Sequence, residues 1–332
     1  MTKLKQLIQV ITRAHIYIQT HNYPDQDALA TAYGLQFLLE SQDINSTICY
    51  SGQIDKYNTL NMVELLKISP LNMEEVTFTK EDEVILVDSQ QGNVNVKSFE
   101  GRKIACIDHH PKQDTKGYLF YDIRSEIGAC STIIGEYFME NKLKPSKEVA
   151  TALLYGIKLD TDNLTKRVSV HDVEMFAYLF KNADLKILKK LESSSLRKAD
   201  LNAYQEAMRN LRIYGRVGIA RIGDDCSEAI IGSISDFLLS LSEVDVTLVY
   251  SYRVGGLKFS IRSEAGIIDA GKIIKEALTD LGDGGGHATM AAGFIPNLNT
   301  SQEINQAASL VEQRVLSIIN KVRKDIFLMD EL

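Results

Sequence analysis

Four short stretches carry side chains whose types and spacing suit metal-assisted chemistry. His21-x-x-x-Asp25-x-Asp27 sets one imidazole and two carboxylates close together, and Asp108-His109-His110 adds a carboxylate and two adjacent imidazoles. One ring of such a pair can ligate a metal while its neighbour meets substrate. Asp88, closing EVILVD, and Asp160, within LLYGIKLDTDN, supply further carboxylates. This mixed oxygen and nitrogen set, with no thiolate, favours harder divalent cations: Mn2+ first, Mg2+ or Co2+ as alternatives, zinc less so. Two cations about 3.5–4 Å apart, bridged by a shared carboxylate, would generate a hydroxide and neutralise phosphoryl charge during in-line attack. The expected reaction is phosphoester hydrolysis.

Plainer roles compete for single residues. Asp27 could serve only as a helix N-cap, the His109-His110 pair could be a solvated turn, and Ser131 or Thr132 could cap the helix they begin. Asp162 reads as support for Asp160 rather than a ligand, His171 as a helix-start residue and His15 as a strand residue. It is the convergence of the whole set that sets the chemical reading apart, because so many ionisable groups at strand ends would be costly without metal.

The elements that must position these groups follow from the apolar pattern. HIYIQT (15 to 20) is β-prone and runs into HNYPDQDALATAYGLQFLLE, whose apolar residues keep a helical rhythm: strand, acidic loop, helix. The helix start adds backbone N–H donors and a partial positive charge that suit anions. Short apolar runs recur at STICYS (46 to 51), EVILVD (83 to 88) and KIACID (103 to 108), with a helical stretch around 57 to 68. Helices are expected at 128 to 141, 147 to 163 and 171 to 182. Strands alternating with helices predict an α/β fold: an N-terminal domain (1 to 184) with a largely parallel sheet flanked by helices, its polar loops facing one crevice at the carboxyl ends of the strands.

A polar, helix-favouring stretch at 185 to 212 reads as a helical linker. Beyond it, 213 to 332 reads as a smaller mixed α/β domain: a strand at 214 to 222, a hairpin of 244 to 253 and 256 to 263, a helix near 267 to 280, the run LGDGGGHATMAAGF (281 to 294), and an amphipathic helix from 301 to about 325. Consecutive glycines at Gly284, Gly285 and Gly286 could present amides to an anion as a nest, with His287 beside them and Arg262 offering a bidentate phosphate contact.

HNYPDQDA, VDS, IDHHP and LYGIKLDTDN, in this order, resemble the four motifs of the DHH phosphoesterase family. FSIRS and DGGGHATMAAGF resemble its DHHA1 substrate-binding domain, so the resemblance covers about residues 14 to 296. It implies one metal on His21, Asp25 and Asp88 and a second on Asp27, Asp88, His109 and Asp160, with Asp88 bridging. It further implies that His110 touches the scissile phosphate, that Asp108 orients a neighbouring histidine, and that Arg262, Ser263, Gly284, Gly285, Gly286 and His287 meet substrate. Gln26 departs from the small residue or proline expected between the two acidic ligands.

Composition narrows the substrate. With 37 basic and 44 acidic residues the formal net charge is -7, so there is no global positive field to hold a long duplex. The resemblance is to the nanoRNase-type oligoribonucleases, which implies hydrolysis of very short RNA to mononucleotides and of 3′-phosphoadenosine 5′-phosphate. Cyclic or linear dinucleotide phosphodiesterases, a RecJ-like single-strand exonuclease and, from another class, a non-catalytic nucleotide sensor are the alternatives. Every expected ligand position is filled, which favours the enzyme over the sensor. Cys49, Cys106, Cys130 and Cys226 show no CxxC pairing and are expected as buried, reduced thiols. No stretch reads as a signal peptide or membrane span, so the expectation is a cytoplasmic protein of 45% hydrophobic residues, with homodimer formation left open.

Overall fold

The computed structural model describes all residues except Asp55, Val94, 194 to 197, 265 to 267 and 330 to 332. It divides into two compact units, Met1–Ser195 and Leu196–Leu332.

The first unit runs α1 (Lys3–Val10), β1 (His15–Gln19), α2 (Gln26–Glu40), β2 (Asn45–Tyr50), α3 (Tyr57–Leu66), β3 (Leu71–Asn72), β4 (Glu83–Val87), β5 (Arg102–Asp108), β6 (Phe120–Ile123), α4 (Cys130–Glu140), α5 (Lys147–Asp160), α6 (Val170–Phe180) and α7 (Leu185–Ser193). Its sheet has the order β3-β2-β1-β4-β5-β6 and every neighbouring pair is parallel. Alternation explains the apolar runs. Ile16, Ile18, Ile85, Val87, Ala105 and Ile107 join the core formed with α2, α4 and α5. Val84, Leu86 and Cys106 point the other way, into a smaller cluster with Tyr17, Val96 and Phe99. Both faces are covered, so β4 is buried along its whole length.

The second unit contains α8 (Leu201–Asn210), β7 (Arg212–Tyr214), β8 (Val217–Arg221), α9 (Glu228–Leu239), β9 (Val246–Arg253), β10 (Gly256–Ser263), α10 (Ala270–Ala277), β11 (Asp283–Gly286), β12 (Met290–Ile295) and α11 (Ser301–Met329). Its sheet, β11-β12-β10-β9-β8-β7, is mixed: β8 and β9 are parallel and the other pairs antiparallel. The hairpin of β9 and β10 turns on Val254 and Gly255, both at positive φ (54° and 71°), as a two-residue turn of matching twist requires.

Several local expectations change. The single strand expected at 214 to 222 is a hairpin, because Gly215 (φ 61°) turns the chain between β7 and β8. The helix expected from 267 begins, among the described residues, at Ala270; Ile267 lies outside them. The stretch at 185 to 212 holds α7 and α8, and its residues 194 to 197 lie outside the described ones. Cys49, Cys106 and Cys130 are buried and unpaired as expected, whereas Cys226 is only half-buried. No helix of the described residues is long and apolar enough to cross a membrane.

Candidate metal centre

The order of the parallel sheet reverses between β1 and β4, where loops leaving the two strands diverge and open a crevice. His21 follows β1, Asp88 follows β4, and Asp108 ends β5 with His109 and His110 next in the chain. Asp27 enters from the first turn of α2 and Asp160 from the last residue of α5. The structure thus brings together all seven residues singled out for the centre, with Asp108 beside them.

Three groups of potential ligand atoms each lie within 4.8 Å of one another: His21 with Asp25 and Asp88, Asp27 with His109 and Asp160, and Asp88 with His109 and His110. Asp88 Oδ2 is 3.6 Å from His21 Nε2, and Asp88 Oδ1 is 3.3 Å from His109 Nε2. His109 Nε2 is also 3.3 Å from Asp160 Oδ2, and His21 Nε2 is 3.9 Å from Asp25 Oδ1. Two ligands each about 2.1 Å from one cation stand roughly 3–3.5 Å apart, so these separations suit atoms that straddle ions. The decisive sign is Asp88 Oδ1, which is buried and, among the described residues, has no hydrogen-bond partner. An orphaned carboxylate oxygen between two imidazoles fits a cation.

The surroundings aim the ligands. His21 Nδ1 donates to the Asn22 carbonyl (2.8 Å) and His109 Nδ1 to the Ile127 carbonyl (3.2 Å). Carbonyls only accept, so both rings turn an unprotonated Nε2 toward the crevice once metal displaces their second proton. Asp25, not Asp27, caps α2: its Oδ1 accepts from Ala28 N (3.0 Å). Asp27 instead accepts from the first amides of α4, Cys130 N (2.7 Å) and Ser131 N (3.0 Å), so its carboxylate sits at the positive end of that helix. Ala129 is the N-cap of α4, which removes that role from Ser131 and Thr132; Thr132 Oγ1 donates to Asp172 instead (2.6 Å). Asp88 holds a left-handed backbone (φ 54°), a strain of about 1–3 kcal/mol that active sites often retain.

Charge in the crevice is crowded. Burial and the Asp88 and Asp160 carboxylates push Asp27 well above the ordinary range, and burial with Asp25 and Asp88 pushes Asp160 up to about 6 against the pull of His109. Burial opposes ionisation of Asp88 as well, but His109 and His21 outweigh it and hold it low. Burial likewise disfavours charge on the two imidazoles, yet Asp25 and Asp88 raise His21 to about 11, and Asp88 raises His109 to about 10. Protons on the histidines therefore take the place that cations would hold.

His110 stands apart. Its Nδ1 donates to Asp108 Oδ1 (2.9 Å), which raises it as a base and leaves Nε2 as the free end of a half-exposed ring. Asp108 is in turn held by Gln90, whose Nε2 donates to Oδ2 (2.7 Å). Gln90, Gly156 and Asp172 escaped the reading of the sequence. A Cβ on Gly156 would come 2.4 Å from Ser131 Oγ and 2.8 Å from Asp27 Oδ1, so only glycine lets α5 approach this ligand. Asp172 accepts from Gly128 N (2.9 Å) and anchors the entry to α4.

The residues expected to meet substrate from the second unit are placed differently. Gly284, Gly285 and Gly286 form the edge strand β11, whose amides alternate in direction instead of converging as a nest does. Arg262 is not a free fork: Nε donates to Asp236 Oδ1 (2.6 Å) and Nη1 to Ser260 Oγ (2.9 Å). Ser263 is buried at the end of β10, while His287 is exposed in the turn between β11 and β12. His15 lies on β1 beside Thr47, Asp162 pairs with Lys166, and His171 pairs with Glu136.

Residues 15–157 match the N-terminal domain of the DHH family, and residues 214–316 match the DHHA1 domain. The chain carries a DHH domain followed by a DHHA1 domain. Its DHH domain contains every candidate ligand but Asp160, which lies three residues beyond the match. Over 289 residues the chain is 32% identical to an uncharacterized protein of Methanocaldococcus jannaschii, covering 86% of this chain and 58% of that protein. It is 25% identical over 313 residues to a cyclic-di-AMP phosphodiesterase of Geobacillus thermodenitrificans, covering 88% of this chain and 46% of the other. A probable bifunctional oligoribonuclease and PAP phosphatase of Streptococcus mutans is 28% identical over 230 residues, 67% of this chain and 70% of that one. This DHH chain therefore spans only about half the length of two of these relatives. Among solved structures, an exopolyphosphatase-related protein from Bacteroides fragilis shares the fold with a TM-score of 0.76 at 17% identity, covering 97% of both chains.

Proposed function

We propose that this DHH protein is a two-metal phosphodiesterase that hydrolyses very short oligoribonucleotides to mononucleotides. The observation that carries the reading is the orphaned Oδ1 of Asp88, the carboxylate that two of the three groups of potential ligand atoms share. His21, Asp25 and Asp88 would hold one cation, and Asp27, Asp88, His109 and Asp160 the other, with Mn2+ as the first choice for this oxygen and nitrogen set. When bound, the two cations supply neutralisation of phosphoryl charge and acidification of an attacking water. The chain's own contribution to the leaving group is His110. Water adds to phosphorus and releases a proton to solvent, the P–O bond to the leaving nucleoside breaks, and the departing oxygen takes the proton of His110 Nε2, which solvent then restores. Asp108 steadies the imidazolium, and Gln90 steadies Asp108.

The short-substrate reading is supported by the net charge of -7, which leaves little to grip a long strand, and by the likeness to the Streptococcus mutans protein. The likeness to the Geobacillus protein supports a second reading, a cyclic dinucleotide phosphodiesterase. Of the DHHA1 residues, the exposed His287 is the one we assign to substrate. Incubation with Mn2+ and a panel of dinucleotide, five-nucleotide RNA, long single-stranded RNA, 3′-phosphoadenosine 5′-phosphate, cyclic dinucleotides and pyrophosphate tests this. The highest kcat/KM is expected on the shortest RNAs; preference for cyclic dinucleotides selects the second reading, and inactivity on every compound overturns both.

A further inference from the structure

The loop that carries His21 and Asp25 also carries a side chain with no part in the centre described above. Tyr23 has a left-handed backbone (φ 56°), which is uncommon for a bulky residue and which asparagine or glycine would adopt more readily. The loop is firmly held by its backbone and by Asn22. Asn22 N donates to Asn95 O (2.6 Å), Lys97 N donates to Asn22 Oδ1 (2.9 Å), and Tyr23 N donates to Ser51 O (2.8 Å). None of these contacts needs a ring at position 23.

The ring nevertheless has a prepared seat. It lies against Gly52, whose own φ of 84° favours glycine and where a Cβ would come 2.7 Å from Tyr23 Cε1 and 2.8 Å from Cδ1. Asn72 Nδ2 fixes the Gly52 carbonyl (2.8 Å). One side of the ring is thus backed by backbone, yet Tyr23 remains 66% exposed, and among the described residues no hydrogen bond engages its hydroxyl. A flat apolar surface, immobilised on one side and open to water on the other, sits two residues from each of two candidate ligands.

We infer that Tyr23 is a stacking platform for a base of the substrate, on the β2 side of the metal centre. The inference rests on the nucleotide reading above, since only a substrate with an aromatic ring next to the scissile phosphate can use the platform. Base–aromatic stacking tolerates every base, so the site would favour the presence of a base without selecting its identity.

The test compares KM for a dinucleotide and for the same phosphodiester with both bases removed, in wild type, Tyr23→Asn and Tyr23→Phe, with metal content measured alongside. Asparagine suits the left-handed backbone, so Y23N keeps the loop and removes the ring. Y23N is expected to raise the ratio of KM with bases to KM without by about tenfold, and Y23F to hold the wild-type ratio. An unmoved ratio in Y23N, or an equal rise for both compounds with lost metal, overturns the stacking role and makes Tyr23 a loop residue. Wild type that cleaves neither compound overturns the nucleotide reading itself, an outcome visible without any variant.

Discussion

The metal crevice and the sheet of the second unit treat buried carboxylates in opposite ways. In the second unit, Asp245 accepts from Arg216 (2.6 Å) and Arg323 (3.2 Å), and Glu312 accepts from Arg212 and from the Tyr250 hydroxyl (2.6 Å). Each acid is matched by a permanent cation from its own chain. In the crevice, Asp27, Asp88 and Asp160 crowd together, one oxygen of Asp88 has no hydrogen bond among the described residues, and the counter-charges are imidazoles that can give up their protons. The first arrangement is finished by folding; the second is left for an exchangeable cation to finish.

That contrast can be broken in four places. Asp88→Ala removes the carboxylate that belongs to two of the three groups of ligand atoms and is expected to lower metal-dependent kcat/KM by on the order of a thousandfold; a loss within tenfold would dissolve the distinction. Glu312→Ala takes the acceptor from the buried Tyr250 hydroxyl and should cost about 1–2 kcal/mol in denaturant unfolding of the second unit, while calorimetric metal binding stays as in wild type. Weakened metal binding in that variant would show that the two regions are not independent. Gly156→Ala presses a methyl group against Asp27 and should weaken metal affinity by about 10–100-fold, read by titration calorimetry.

Asp160→Asn has the smallest expected effect and tests the sign. A carboxyl raised to about 6 from an unfolded value near 3.9 destabilises the fold progressively as pH rises from about 4 to 6, and by a constant amount above that. Without metal, the variant should therefore be more stable than wild type at pH 7 by about 1 kcal/mol, after allowance for partial exposure, and equal to it below pH 4. Saturating Mn2+ should reverse the order. A variant less stable than wild type in chelator at pH 7 would mean that the crevice is not under electrostatic strain.

Much of the centre was legible because its parts are local: an apolar run ends, and polar residues follow at the strand end. The mixed second sheet and parallel first sheet were legible for the same reason. What was hidden depends on contacts distant in the chain. β6 is four residues long and carries Asp122, which looks exposed until Arg124 and Tyr137 enclose it. β11 consists of Asp283 and three glycines, a composition with no strand propensity, and is held by pairing with β12. Asp25 and Asp27 are equally good caps on paper, and only the register of α2 decides between them. Gln90 and Gly156 are ordinary residues until Asp108 and Asp27 are brought against them.

β1 pairs with β4 rather than with the strand that precedes β4 in the chain, and the ligands extend from His21 to Asp160. The centre is therefore expected to form late in folding: the long loop between β1 and β4 must close before His21 and Asp88 meet, and α5 must dock before Asp160 joins them. A cation arriving early finds only fragments of its site. Its influence on kinetics should fall on the unfolding limb, so that metal prolongs the lifetime of the finished domain without hastening its assembly.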